Sequence, residues 1–328
     1  MTSRTDTLRV GLLAGSAALL VVALGLSLVV GVHTYGVSDI ADLLHGSDTP
    51  ATEVLSDLRL PRMLLALGTG LALALAGTLC QAVTRNPLAD PGMLGVSAGA
   101  GFAITMVAAL VPSIDQAGQV VVAFVGSALT GALVFVIGRT SPLRLVLVGV
   151  AVSSLLMGVS LGLRMIYPDV FDAFRGWAVG TIAGRDQTPL LLPLVLMAVA
   201  SLAVLLVIRP LSAIALGDDV AEAMGVAVVR TRLGVFLLVT VLTAVATAVV
   251  GPIAFVGLIV PTIARRPAGG SLAWMIAFTA LWGPLLLVMC DVIARITLPT
   301  GEIPVSVVTA FVGGFALIAA VREDGLTV

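Results

Sequence analysis

The sequence predicts an all-α, polytopic membrane protein with about ten transmembrane helices, and three observations carry that prediction. Hydrophobic residues make up 59% of the 328 positions and charged residues only 11%, against about 25% charged in a soluble domain. The charges fall between uncharged runs long enough to cross a bilayer, which takes about 20 apolar residues. The chain also holds 35 glycines, and small residues let helices approach closely in lipid.

The uncharged runs lie at 10–38, 63–84, 91–114, 116–138, 145–163, 187–208, 233–264, 267–290 and 303–321. The first is longer than the apolar region of a signal peptide, about 7–15 residues, and no small-x-small cleavage pattern follows it. It reads as a retained first helix. The run 233–264 is too long for one span. Gly251-Pro252 breaks it, because proline removes a backbone donor and clashes with the preceding turn. Its second piece is short and stops at Arg265 and Arg266, so nine runs give ten helices.

Two connections have structure of their own. "VSDIADLLHGSDTPATEVLSDLRLPR", between the first two spans, predicts a short surface helix. "DVFDAFRGWAVGTIAGRD", between the fifth and sixth, carries Gly176, Gly180 and Gly184 around Trp177 and predicts a short helix dipping at the outer face. No break between runs exceeds 24 residues, so residues 1–328 read as a single transmembrane domain. A faint internal echo links "LAGTLCQAVTRNPLADPGMLG" with "TAVVGPIAFVGLIVPTIAR", as in duplicated transporter bundles.

Ten spans put both termini on one side. With the termini in the cytoplasm, eleven arginines face inward (4, 9, 85, 139, 144, 209, 230, 232, 265, 266, 322) and six outward (59, 62, 164, 175, 185, 295). That asymmetry follows the positive-inside rule for a cytoplasmic membrane protein.

Composition also excludes functions. All 17 basic residues are arginine. Without lysine there is no Walker A motif to grip phosphates, so ATP and Mg, if used, bind a partner and this chain binds no cofactor. Cys80 and Cys290 lie inside apolar runs and read as buried thiols, not a disulfide framework. His33 and His45, without a Cys/His cluster, read as interfacial or loop residues and make no metal site. No line of intramembrane acids marks a proton relay, which weighs against a secondary transporter. Nothing suggests an enzyme.

Charge concentrates in "LGDDVAEAMGVAVVRTRLG", residues 216–234. Asp218 and Asp219 stand where a helix begins, and acids suit that positive end. Leu216, Val220, Ala223 and Met224 share a face at helical spacing, with Glu222 largely elsewhere. Gly225 suits a left-handed cap. A second short segment, Val226–Arg232, contains Arg230 and Arg232 and enters the seventh span. The stretch reads as an amphipathic helix pair on the cytoplasmic surface, either a solvated loop or a knob that docks a cytoplasmic partner.

A second stretch, "RLPRMLLALGTGLALALAGTLCQAVTRNPLADPGMLGVSAGAG" at 59–101, begins with Arg59 and Arg62 at the outer surface. It turns at the inner surface through Arg85-Asn86-Pro87-Leu88 and Asp90-Pro91, and re-enters with Gly95 and Gly99 spaced as GxxxG. This stretch resembles the signature of the FecCD/BtuC-like permeases, membrane subunits of type II ABC importers for ferric siderophores, haem and cobalamin. The resemblance continues through "LVLVGVAVSSLL", "GWAVGTIAG", "LGDDVAEAMGV", "RTRL", "GPIAFVGLIVPTIAR" and "GEIPVSVVTAFVGG", in order along nearly the whole chain.

The resemblance implies a BtuC-like permease fold and alternating access driven by ATPases. It implies a second permease subunit, identical or a paralogue, with cytoplasmic ABC ATPases below and an extracytoplasmic binding protein above. Haem or cobalamin is the alternative cargo to a ferric siderophore, and an ATP-independent secondary transporter is the alternative class. It assigns coupling to helices at about 212–230, carried by Asp218, Asp219, Val220, Glu222, Met224, Gly225, Arg230 and Arg232. It assigns a cytoplasmic gate to Arg85, Asn86, Pro87, Leu88, Thr140 and Ser141, which otherwise form ordinary turns. It assigns binding-protein docking to Arg59, Arg62 and Arg295, which otherwise anchor helix ends by snorkelling. Asp291 and Arg295, four apart, either pair or leave Arg295 free for a partner. The chain departs from the family pattern at Thr262, in "RPAGGS" at 266–271, at Ser306 and at Phe315, where the common proline is absent and the last helix is expected to be straighter.

Overall fold

The computed structural model describes residues 2–31, 34–47, 49–111, 114–138, 141–185, 189–298 and 301–324, and among these every regular element is helical. α1 (Thr2–Val29) is followed by α2 (Val37–His45) and α3 (Pro50–Val54), and a π-type turn, Leu55–Arg59, joins α3 directly to α4 (Leu60–Thr84). A 3-10 turn at Pro91–Leu94 leads into α5 (Val96–Leu110), then α6 (Gln116–Gly138), α7 (Pro142–Ile166), α8 (Pro168–Ala178) and α9 (Leu191–Ala215). The short α10 (Asp218–Ala223) precedes α11 (Val228–Val250), α12 (Val256–Ala268), α13 (Leu272–Ile296) and α14 (Val305–Asp324).

Seven of the described helices are long and apolar enough to cross a membrane. With the shorter α5, α12 and α14 these make the ten predicted helices. Leu19, Leu129, Leu155 and Leu206, on α1, α6, α7 and α9, are exposed, as lipid-facing positions require. The break in the long apolar run falls where expected: α11 stops at Val250 and Gly251 takes φ +81°.

The 37–62 connection holds two short helices rather than one, and the second runs on into α4. The reason is local capping. Thr49 Oγ1 accepts the Thr52 amide at 3.2 Å and starts α3 at Pro50, well before the uncharged run begins. His45 ends α2 with its ring nitrogen on Ala41 O at 2.6 Å; His33 lies outside the described residues. The short helix expected around Trp177 is α8, whose indole Nε1 donates to Thr247 O at 3.1 Å.

α4 is the buried centre, packed against α9, α11, α12 and α13. Glycines make that possible. A Cβ on Gly77 would stand 1.8 Å from Gly257 O of α12, and one on Gly70 would stand 2.5 Å from Gly283 O of α13. These are backbone-to-backbone contacts of the small-residue kind that hold helices together in lipid. Gly99 of the GxxxG pair does the same between α5 and α6, where its Cβ would meet Gly126 O at 2.5 Å.

One end of the bundle is fastened by charge. Asp291, wholly buried on α13, receives Arg62 Nε and Nη2 at 3.0 and 2.8 Å and Arg295 Nε at 3.0 Å. Arg62 also holds Glu302 at 2.7 Å. Arg295 Nη1 donates to Ser27 O at 2.8 Å, and Arg59 donates to Leu28 O. The last carbonyls of a helix have no partner within it, so these two arginines satisfy the end of α1 and bind it to α4 and α13.

Two outcomes test this packing by thermal melting of the detergent-purified chain. Gly77→Ala forces α4 from α12 and should cost about 1–3 kcal/mol, as overpacked cores do, while Gly15→Ala, with no atom near its Cβ, should be close to neutral. Asp291→Asn leaves buried Arg295 without its countercharge and Arg62 with Glu302 alone, and should cost about 3–5 kcal/mol, as broken buried pairs do.

Candidate coupling and docking sites

The described residues assigned to coupling and to the gate lie at the other end of the bundle, where Asp218 meets Arg85. α9 runs to Ala215 and α11 starts at Val228, so the surface piece between them is 216–227 rather than 212–230. It holds one helix, not a pair. α10 spans Asp218–Ala223, and the expected second segment is the first turn of α11, already inside a spanning helix. Gly225 takes the left-handed conformation at φ +82°, and the Val226 amide returns to Ala221 O at 2.9 Å. That turn ends α10, and the chain enters α11 at Val228.

α10 packs inward through Ala221, which joins Ala213, Ile214 and Val228 in a small apolar cluster. Leu216, Val220 and Met224 point the other way. They are exposed, Met224 at 63%, and Asp219, Glu222 and Arg230 around them are exposed too. The apolar face legible in the spacing is therefore an outward face. A short rigid helix with a bare apolar ridge inside a ring of charge has the make-up of an interface, whose core is apolar and whose rim is polar.

Asp218 faces the chain. Its carboxylate takes Arg232 Nη2 at 2.9 Å and Arg85 Nη2 at 2.8 Å. Arg85 also donates to Ile214 O, near the end of α9. Arg85 closes α4 with φ +52°, a left-handed conformation that costs a non-glycine residue roughly 1–2 kcal/mol. Its two bonds hold it there. The acid expected at the helix start, and assigned to coupling, thus ties the surface helix to the central helix.

The gate assignments divide. Asn86 Oδ1 accepts the Leu88 amide at 2.9 Å, and the Ala89 amide reaches Asn86 O at 3.1 Å. This closes a tight turn in which Leu88 is exposed and Pro87 half-buried. Ser141 caps α7 through the Arg144 amide at 3.2 Å, and lines a cavity of about 140 Å³ with Thr84, Leu145 and Arg232. Thr140 lies outside the described residues. A larger cavity, about 290 Å³, opens beside Arg85, Asn86 and Pro87 and reaches Gln81 and Arg265. Gln81 joins α4 to α12, accepting Arg265 Nη2 at 2.9 Å and donating to Leu258 O at 3.1 Å. Sequence reading passed over Gln81, since one amide in an apolar run gives no pattern.

The three arginines assigned to docking sit at the opposite end, but they do not form an open rim. Arg295 is 4% exposed and Arg59 8%, and both grip the α1 terminus. The Arg59 guanidinium also lies over the Tyr35 ring, 4.4 Å from its centre. Asp291 and Arg295 pair, which settles that alternative in favour of the ion pair. Glu302, which no local pattern singles out, neutralises Arg62.

The departures from the family pattern have local partners. Thr262 folds its hydroxyl onto Leu258 O at 2.7 Å. In the 266–271 segment, Gly269 closes α12 at φ +58° and Arg9 Nε reaches Pro267 O at 3.1 Å. The Ser306 amide donates to Gly180 O at 3.1 Å and its hydroxyl to Val179 O. Phe315 stacks edge-on with Phe311 at 4.9 Å.

Comparison with known proteins agrees with this architecture. The model of the FecCD transport family matches residues 19–323. The ferric enterobactin transport system permease protein FepD of Escherichia coli (strain K12) is 42% identical over 94% of this chain and 94% of its own length. The hemin transport system permease protein HmuU of Yersinia pestis is 36% identical over 79% of this chain and 80% of its own. Among solved structures, an inward-facing conformation of a metal-chelate type ABC transporter superposes with a TM-score of 0.86 at 29% identity, covering 95% of this chain and 99% of that one. The chain therefore belongs to the FecCD transport family, membrane permeases of ABC importers, and is a polytopic transport protein and not an enzyme.

Proposed function

We propose that this chain carries a ferric siderophore across the cytoplasmic membrane by alternating access, as one of two permease subunits above a pair of ABC ATPases. The contact between Asp218 and Arg85 carries this reading. An ATPase seated on the ridge of Leu216, Val220 and Met224 pushes α10, and Asp218 passes that push to the end of α4. Arg230, Asp219 and Glu222 flank the ridge and set the register of docking, as rim charges do. The turn from Arg85 to Leu88, with Ser141, narrows the cytoplasmic end of the path. Similarity to permeases for ferric enterobactin and hemin supports an iron-chelate cargo, and the siderophore is favoured because the more similar of the two serves one.

The partners follow from this reading. The ATPase supplies ATP and Mg. The second permease subunit is a copy of this chain or a paralogue. The end with Arg59, Arg62 and Arg295 faces the binding protein, and both termini are cytoplasmic, in keeping with the arginine asymmetry. Those three arginines shape the outer surface by holding α1, α4 and α13 together, with docking contacts made around them.

The test is co-purification from native membrane, followed by ATPase assay of the complex with and without binding protein and ferric siderophore. An ATPase that comes down with the chain and answers to both ligands is expected. A chain that purifies alone and moves substrate in vesicles without ATP contradicts the proposal. Glu222→Pro combined with Met224→Asp should leave membrane insertion intact and cut ATP-driven uptake at least about tenfold, the effect of roughly 1.4 kcal/mol lost from the docked interface. Normal uptake by this variant sinks the coupling role.

A further inference from the structure

The "RPAGGS" segment at 266–271 departs from the family pattern and builds a feature of its own. Gly269 and Gly270 both take left-handed conformations, at φ +58° and +82°. They turn the chain from the end of α12 into the start of α13. Ser271 caps α13 by accepting the Trp274 amide at 3.5 Å. The Ser271 O–H and the amides of Gly270, Leu272 and Ala273 donate to nothing among the described residues. A glycine turn that opens onto a long helix presents free amides and the positive end of the helix dipole.

That helix start shares a cavity with two guanidiniums. Arg85, Asn86, Arg265, Gly270, Ser271 and Leu272 all line the space of about 290 Å³ beside the Arg85 turn. Arg265 uses only Nη2, on Gln81 Oε1 at 2.9 Å, and makes no ion pair among the described residues. Gln81 is 3% exposed and is itself fixed by donating to Leu258 O, so it holds the Arg265 guanidinium in place. Arg85 likewise uses Nη2 alone, on Asp218 and Ile214 O. Nε and Nη1 of both arginines are left to donate. Asn86 accepts the Leu88 amide with Oδ1 at 2.9 Å, which leaves its NH2 to donate as well. Leu211 and Met275 form an apolar wall.

The geometry points to a binding site for a phosphate group. Donors line this cavity on several sides: two arginines, an asparagine, a serine and a helix N-terminus. Arginine takes phosphate in a two-pronged bond, and a glycine turn before a helix is a phosphate seat. A phosphate group offers three strong acceptor oxygens, as donors on several sides require, whereas a carboxylate offers two in one plane. The volume lies just below the roughly 300–1,000 Å³ of small-molecule pockets, so it suits one phosphate group and not a ferric chelate. Two sources carry that group. One is free phosphate; the other is the headgroup of an anionic lipid, whose chains follow the Leu211 and Met275 wall into the bilayer. The assignment goes beyond the importer reading and rests on it only for the side of the membrane to which the cavity opens.

Full-length chain in phosphatidylcholine nanodiscs is melted in rising potassium phosphate, with potassium chloride and potassium acetate at matched ionic strength as controls. Phosphate should raise the melting point of wild type and saturate, as a ligand of the folded state does. Arg265→Gln should weaken the midpoint of that response roughly tenfold or more. Asn86→Asp keeps the acceptor for the Leu88 amide but sets a carboxylate in the cavity, so it should fold and lose the response. Arg144→Gln, an exposed arginine outside the cavity, should respond as wild type does. The series is repeated in nanodiscs containing phosphatidylglycerol. A higher starting melting point there in wild type but not in Asn86→Asp, with no further gain from phosphate, supports the site with the lipid headgroup as its source. An unchanged start with the full phosphate gain supports it with free phosphate as the source. Acetate that matches phosphate overturns the phosphate assignment. Equal responses in wild type and Asn86→Asp, or none in either disc, overturn the site. Nanodiscs expose both faces of the chain, so these outcomes stand apart from the importer reading, which co-purification with an ATPase tests.

Discussion

A charge inside a low-dielectric bundle is costly unless paired, and that constraint organises this chain. Each end of α4 is held by an acid between two arginines. At one end Asp291 joins Arg62 and Arg295; at the other Asp218 joins Arg85 and Arg232. Between them α4 is almost wholly buried, with glycines where α12 and α13 touch its backbone. The two ends differ in exposure. Asp291 is sealed from solvent and makes a permanent fastening, whereas the side chain of Asp218 is 42% exposed and can exchange partners. A buried pair resists breaking by several kcal/mol and an exposed one by about 1 kcal/mol or less. Movement is therefore cheaper at the Asp218 end.

On the importer reading, this asymmetry is useful. A rigid rod fixed at one end and adjustable at the other turns a small displacement of a surface helix into a tilt, without unfolding anything. Packed cores switch between discrete arrangements rather than deform continuously. The left-handed Arg85 is well suited to such a change, since its strained backbone is held by contacts to Asp218 and Ile214 that an ATPase motion reaches first.

Much of the fold was legible because lipid imposes simple rules. Length and charge located ten helices, and Gly251-Pro252 showed where one run becomes two. The α3–α4 junction was not legible, because Asp57, Arg59 and Arg62 interrupt the apolar pattern while the helix continues through them. In the candidate sites, spacing found the apolar face of α10 but not its direction. Pattern alone does not say whether Leu216, Val220 and Met224 face the chain or a partner. The pairs of Asp218 with Arg85 and of Asp291 with Arg62 span long stretches of sequence, so no local signal announced them. The "RPAGGS" segment read only as a departure from the family pattern; the fold sets it beside Arg85, far off in sequence.

The central claim is that Asp218 transmits force to α4 through Arg85. The most direct measurement is a double-mutant cycle in the reconstituted transporter, reading substrate moved per ATP hydrolysed for Arg85→Gln, Asp218→Asn and the pair. A shared contact predicts that each single variant lowers the ratio several-fold and that the double variant is no worse than the weaker single, because interacting residues are not additive. Independent, multiplying losses, or an unchanged ratio in either single variant, would contradict it.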